Sequence, residues 1–327
     1  DAHTVTAGGE DYTADNIIIA TGSVSKSLPI PGHDLACVMD STAMLSIEYV
    51  PARLTIIGGG VIGMEFASIF ASLGSEVTVI EFMKQILPPF DSDIAKRLKQ
   101  ALTKRGIKII TGAAAKTIEQ TDDYEIKVTY EVKGKEESVV STDLLMAVGR
   151  APYMEGLNLE AAGVEYTPRG IAVDDNMKTN VDGIYAIGDV NARMMLAHVA
   201  SFQGLRALNA IDGKSDGIRM DIVPSAVFTV PECGMTGLTE EQCKAKGIEI
   251  RVGQSLFRAN GKALALGEPD GLCKLIFRKE DGQLEYYVEG EFVKELTPEM
   301  LSLPPYSDLP IIDVAIEEVR LDSVWGG

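Results

Sequence analysis

LTIIGGGVIGMEFASIFASLGSEVTVIE, residues Leu54 to Glu81, decides how this chain folds. Leu54 to Ile57 is a short apolar run that suits a buried parallel strand, and it runs straight into Gly58, Gly60 and Gly63. Each glycine has its own mechanical task. Gly58 permits the tight turn out of the strand, Gly60 lets a pyrophosphate touch bare backbone, and Gly63 lets the next helix pack close to the sheet. Ile62, Phe66, Ile69, Phe70 and Leu73 are expected to form one apolar helical face, closed by Gly74. A second strand, Val77 to Ile80, delivers Glu81 about twenty residues past the turn, where an acid accepts hydrogen bonds from a ribose 2′-hydroxyl.

Strand, glycine turn, helix and acid together point to a dinucleotide site. Glu81 also selects the dinucleotide. A 2′-phosphate about 4 Å from the carboxylate would be repelled by about 4 kcal/mol per charge pair at an effective dielectric of about 20, so NAD is favoured over NADP.

The 327 residues, 46% hydrophobic and 24% charged, can bury a large core and hold two or three domains. The apolar runs are only strand length, so no membrane span is expected. A formal net charge of −18 argues against nucleic acid or an anionic membrane surface as partner. Cys37, Cys233, Cys243 and Cys273 are too scattered for a disulfide framework or zinc site, which fits a reducing, cytoplasmic setting; no metal site is expected.

Before the central stretch, Val5 and Thr6 lead into Gly8-Gly9 as a hairpin, and a strand from Asn16 to Ala20 runs into Thr21-Gly22-Ser23. That strand lacks a βαβ unit before it, so an upstream half-domain is expected beyond this chain. Leu28 to Gly32 is a proline-punctuated connector. After the central stretch, Asp91 is placed to cap a helix with Ile94, Leu98, Ala101 and Leu102 inward, ending at Gly106. Ile107 to Ile110 reads as a parallel strand, and Tyr124 to Val132 with Ser138 to Val140 as a hairpin turning at Lys133-Gly134. Leu144 to Val148 runs into Gly149-Arg150, and Ile184 to Ile187 into Gly188-Asp189, followed by a helix over Ala197 to Ile211. Glycines at three strand ends, Gly22, Gly149 and Gly188, point to a second nucleotide-type site. From Asp221 the pattern becomes α+β: a strand over Pro224 to Val230, a helix capped by Thr239 with Glu241 or Gln242 in its first turn, and strands over Ile248 to Leu256 and Leu272 to Arg278. Glu285 to Gly327 holds ten acids against two basic residues and four prolines, and reads as an acidic appendage.

ATGS at Ala20 to Ser23, GGGVIGME at Gly58 to Glu65, AVGRAP at Ala147 to Pro152, YAIGDV at Tyr185 to Val190, MLAH at Met195 to His198 and FTVPE at Phe228 to Glu232 resemble, in order, the pyridine nucleotide-disulfide oxidoreductases of the dihydrolipoamide dehydrogenase type. The resemblance covers about Asp1 to Leu284. It implies an α/β fold with two Rossmann-like domains, for FAD and NAD, with three-layer sheets, plus a partial α+β dimerisation domain. The divisions would be 1–40 (end of the first FAD segment), 41–148 (NAD domain), 149–220 (second FAD segment), 221–284 (partial dimerisation domain) and 285–327 (appendage). It implies that Thr21, Gly22, Ser23, Met195, Leu196, Ala197 and His198 line the flavin, with Asp189 on its ribityl chain. Gly58, Gly60, Val61, Ile62, Gly63, Glu81 and Gly149 would hold NAD, with Glu65 near the nicotinamide. Glu65 also reads as an acid favoured by the helix macrodipole, and His198 as structural.

The family's N-terminal FAD glycine motif, its CxxxxC redox pair and its His-Pro base do not occur here, so no catalytic residue is assigned. Thiol-disulfide exchange needs a thiolate and a base to activate it. The expectation is an NAD- and FAD-dependent oxidoreductase acting on a dithiol or lipoyl-type substrate, homodimeric in its full form and present here as an incomplete chain that binds NAD. The alternatives are an NADH oxidase or reductase of another acceptor, and a non-catalytic nucleotide-binding module.

Overall fold

In the computed structural model, residues 1–280 and the backbone of the strand Leu284–Glu289 are described. The apolar run at Leu54 forms Arg53–Ile57, the middle strand of a five-stranded, all-parallel sheet. Across the sheet the order is Val38–Met39, Asp143–Met146, Arg53–Ile57, Glu76–Glu81 and Lys108–Thr111. Four of the five residues of Arg53–Ile57 are buried, as expected for a strand covered on both faces.

The helix Val61–Ser72 packs differently from its expected apolar stripe. Met64, Ala67 and Phe70 are buried, with the ring of Phe70 stacked on Phe66, whereas Ile69 and Leu73 are 49% and 58% exposed. Small residues explain the rotation. A Cβ on Gly63 would lie 2.1 Å from the Gly58 carbonyl oxygen, so the helix sits too close for a bulky inner face and turns Gly63 and Ala67 inward. Ser68 is buried as well, because a second segment, Phe228 to Val230, covers the helix on that side.

The helix Ser92–Lys104 matches its expectation: Asp91 caps it by accepting the Asp93 amide at 3.0 Å, and Ile94, Leu98, Ala101 and Leu102 are buried. The expected hairpin forms Ile126–Val132 and Lys135–Ser141, turning at Lys133 and Gly134, both at positive φ. A third antiparallel strand, Ala113–Gln120, joins it; its alanine-rich start carries little strand propensity, and packing against Ile126, Val128 and Tyr130 supplies the missing preference. The Leu28 to Gly32 connector is no free linker. Leu28 and Ile30 pack into this cluster, and the Pro31 carbonyl accepts the Ile118 amide at 2.9 Å.

The three strand-end glycines do not share one sheet. Ile17–Ile19 pairs in parallel with Ile184–Ala186, which brings Gly22 and Gly188 to a common edge. Gly149 instead follows Asp143–Met146, a neighbour of the glycine-turn strand in the five-stranded sheet. The strand Arg150–Pro152 then crosses over to pair antiparallel with Ser23–Ser25.

The C-terminal unit is an antiparallel sheet ordered Ser225–Val227, Cys233–Gly237, Leu284–Glu289, Leu272–Arg278 and Ile250–Leu256. The expected strand to Val230 stops at Val227, where the chain turns onto the helix Val61–Ser72. A boundary between 284 and 285 cuts through an internal strand, since Leu284–Glu289 pairs with neighbours on both sides; the rest of the acidic stretch lies outside the described residues. Thr239 caps Glu240–Ala245 in a capping box whose partner is Gln242.

One hydrophobic core runs from the parallel sheet into this unit, joining Phe90, Ile94 and Leu98 to Val227, Cys233 and Ile276. At its edge Lys274, 1% exposed, donates to both oxygens of Asp91, 0% exposed, at 2.9 and 3.0 Å, to Asp93 at 2.9 Å, and pairs with Glu240. Burial alone would lower the lysine, but the three carboxylates override it and hold it protonated. Burial pushes the Asp91 carboxyl up against the pull of Lys274, while Asp93, half exposed, is held low by its hydrogen bond from Lys274.

Candidate nucleotide sites

Two groups of expected site residues assemble separately. In the first, Gly58 takes φ +112° and its Cβ would meet the Ala147 carbonyl oxygen at 2.3 Å, so no other residue fits the turn. Gly60 is glycine for a different reason. Its φ of −74° suits any residue, and a Cβ there would meet nothing within 4 Å, so the space above it is open. Gly60 starts the helix Val61–Ser72 without a side-chain cap, which leaves the first amides of the helix facing outward from the turn. Open space over bare backbone at an uncapped helix N-terminus is what a diphosphate requires, so the residues present fit the group. Val61 and Ile62 are half-buried and pack on the core beneath.

Glu81 is buried at the end of its strand, directly against the turn. Its Oε2 accepts the Gly59 amide and its Oε1 the Met83 amide. The carboxylate therefore ties the second strand to the glycine turn, a structural duty that spacing alone did not indicate. Each oxygen keeps a lone pair, so a ribose hydroxyl can still be accepted, whereas a phosphate would meet only acceptors. The loop beyond is fastened to the same turn, the Leu87 amide donating to the Gly59 carbonyl at 2.8 Å.

Glu65 sits in the first two turns of the helix, half-buried, and its Oε1 accepts the Phe228 amide at 2.8 Å. Burial pushes its carboxyl up, and the Phe228 amide opposes that in part. Three residues further, the Ser68 hydroxyl accepts the Val230 amide at 3.0 Å. Phe228, Val230 and Ser68 had no individual signal in the sequence, because two of them act through their main chain.

The second group gathers at the edge shared by Gly22 and Gly188. Thr21 donates its hydroxyl to the Tyr153 carbonyl at 2.6 Å, and the Tyr153 amide donates to the Gly22 carbonyl at 2.9 Å. Asp189 lies in the 3-10 turn Gly188–Asn191, and its Oδ2 accepts the Ser23 hydroxyl at 2.5 Å. The Gly188 amide is held by Gln203 Oε1 at 2.6 Å, which also accepts from Asn191 at 2.8 Å. Met195 and Leu196 lead into the helix Ala197–Ile211, again with no side-chain cap, and Ala197 and His198 are exposed. His198 Nε2 is 2.9 Å from the Pro224 carbonyl oxygen, which suits a structural histidine. Gly149, at φ +105°, stands between the groups: its carbonyl accepts the Lys26 amide at 2.9 Å, just past Ser23–Ser25. Arg150, singled out only as part of a motif, donates to Ser23 twice.

The comparisons with known proteins agree with this architecture. The family described as Pyridine nucleotide-disulphide oxidoreductase matches residues 1–204, and its dimerisation domain matches residues 223–285. The chain belongs to the pyridine nucleotide-disulphide oxidoreductase family. Among curated relatives it is 40% identical over 277 residues to a dihydrolipoyl dehydrogenase of Staphylococcus aureus, covering 84% of this chain and 58% of the relative. It is 41% identical over 276 residues to a mercuric reductase of Bacillus cereus, covering 84% and 44%. Among solved structures it superposes on the HOCl-induced flavoprotein disulfide reductase RclA of Escherichia coli with a TM-score of 0.80 at 27% identity, covering 98% of this chain and 76% of that one. LpdA of Mycobacterium tuberculosis gives 0.78 at 28% identity, covering 88% and 62%. The chain thus spans little more than half the length of the dihydrolipoyl dehydrogenase it matches.

Proposed function

We propose that this chain binds NAD(H) over Gly58 and Gly60 and FAD along Thr21 to Ser23, Asp189 and Met195 to His198, and serves hydride transfer as part of a dihydrolipoyl dehydrogenase-type protein. The observation that carries the reading is the open space over Gly60 beside a buried acid, Glu81, whose oxygens are already oriented by two amides. In this reading the amides at the start of the helix Val61–Ser72 bind the diphosphate, and Glu81 accepts from the adenosine ribose and rejects a 2′-phosphate. Gly149 flanks the same crevice, and Glu65 borders its nicotinamide end. When bound, the two cofactors supply the hydride chemistry; the protein supplies binding and orientation.

Cys233 and Cys243 of the C-terminal unit do not serve as the thiol partner. Cys233 is buried and its thiol is pushed up to about 12 by burial, and Cys243 is buried as well. A dithiol or lipoyl-type substrate, a homodimer through the C-terminal unit and a cytoplasmic setting complete the proposal for the whole protein, supported by the matched dimerisation domain and the dihydrolipoyl dehydrogenase relatives. Among the described residues no helix is long and apolar enough to cross a membrane. The proposed division is into segments 1–40 and 149–220 for FAD, 41–148 for NAD and 221–284 for dimerisation, its last edge moved to the end of Leu284–Glu289.

Titration with NADH and with NADPH, followed by the fluorescence of the reduced nicotinamide, tests the dinucleotide half. NADH is expected to bind at least about tenfold more tightly, given the repulsion at Glu81. Equal affinities would remove the assignment. A flavin absorbance band that survives purification supports the FAD half.

A further inference from the structure

Arg150 follows Gly149 and opens the strand Arg150–Pro152, just past the NAD-side strand Asp143–Met146, and its side chain reaches the flavin-side group. Its Nε donates to the Ser23 hydroxyl at 2.7 Å and its Nη2 to the Ser23 carbonyl at 2.7 Å. A hydroxyl has one proton, so a Ser23 hydroxyl that accepts from Arg150 must give its own to Asp189 Oδ2, at 2.5 Å. The direction of the whole chain is therefore fixed, from guanidinium through hydroxyl to carboxylate. Arg150 Nε is 4.0 Å from the same oxygen. Among the described residues Asp189 Oδ1 accepts no hydrogen bond, and it is the oxygen left for an outside donor.

We infer that Arg150 is the positioning residue of the flavin-side site: it orients Ser23 and, through Ser23, fixes the Asp189 carboxylate with Oδ1 left for the hydroxyls of a polyol ligand. The inference rests on the proposed flavin reading. The main chain supports it, since Arg150–Pro152 pairs with Ser23–Ser25 and the Gly149 carbonyl takes the Lys26 amide, so one short segment meets the backbone of Ser23 to Lys26 and also the Ser23 side chain. A lysine could keep the charge but not the fixed fork that spans the hydroxyl and the carbonyl of one serine.

The test is a double-mutant cycle on the full 327-residue chain, with FAD affinity read from quenching of flavin fluorescence. R150M is expected to weaken FAD by about tenfold, the scale of a charge-assisted hydrogen bond. In a D189N background the same change is expected to cost less than about twofold, because the carboxylate it served is gone. R150K should fall between wild type and R150M, and it also serves if R150M does not fold. An Arg150 effect of equal size in both backgrounds, or R150K as weak as R150M with a wild-type thermal midpoint, would overturn the positioning role. FAD affinity unchanged in D189N, or absent in the wild type, would instead overturn the flavin reading beneath it.

Discussion

The two proposed nucleotide sites are built in opposite ways. The NAD-side site is built mainly from one unbroken stretch, strand, turn, helix and strand, tied together by main chain at Gly58 to Ile80 and Leu87 to Gly59 and by the Glu81 carboxylate accepting the Gly59 and Met83 amides. The flavin-side site is assembled from three separate segments, Ser23 lying 127 positions before Arg150 and 166 before Asp189, joined by side chains. A site made of contiguous backbone can be read by spacing. One made of distant side chains can be recognised only once the strands are placed.

Burial differs in the same sense, and the predictions press on that difference. The largest effect is expected at Lys274, which anchors the cap of the helix following the Glu81 loop. Lys274→Met strands Asp91 as an unpaired buried charge and should cost about 3–5 kcal/mol in denaturant unfolding. A loss below about 1 kcal/mol would mean that the NAD side is not held by this anchor. Glu81→Ala comes next: it leaves the Gly59 and Met83 amides without their acceptor, at about 1–3 kcal/mol for each that stays buried, and should also weaken NADH at least about tenfold. On the flavin side the counterpart is milder. Ser23→Ala, at a partly exposed position, should cost about 1 kcal/mol of stability and leave NADH affinity unchanged.

The smallest effect concerns pH. Glu65 has its folded carboxyl raised by burial, so the folded protein binds a proton more readily than the unfolded chain. Stability from this group is full below the ordinary glutamate range and is lost as pH rises through the raised folded value. The slope in that window is below about 1.4 kcal/mol per pH unit, the ceiling for one proton, and Glu65→Gln should flatten it in thermal melts taken across the acid range. An unaltered slope would assign the pH dependence to another group, with Asp91, also raised, as the first alternative.

What could be read from the sequence follows the same division. The glycine turn, the Asp91 and Thr239 caps and the Lys133-Gly134 hairpin were legible because each is a local pattern. The buried face of the helix Val61–Ser72 was not, because apolar periodicity cannot see that Phe228 to Val230 covers a second side, burying Ser68 and leaving Ile69 and Leu73 outside. The double amide grip on Glu81 carries no residue signature, and the FTVPE motif marks Phe228 and Val230 without showing that their amides bond to the helix Val61–Ser72. Two signals were present and unused. Lys274 interrupts an otherwise apolar strand, the mark of a buried partner, and Tyr286, Tyr287 and Val288 have strand propensity that the acidic count around them obscured.

The central claim, that a diphosphate lies on bare main chain above Gly60, is tested most directly by Gly60→Ala. The added methyl enters open space at an ordinary φ, so the thermal midpoint should hold or rise slightly, while NADH affinity should fall at least about tenfold from crowding alone. A variant with an unchanged midpoint that still binds NADH as the wild type does would contradict the account.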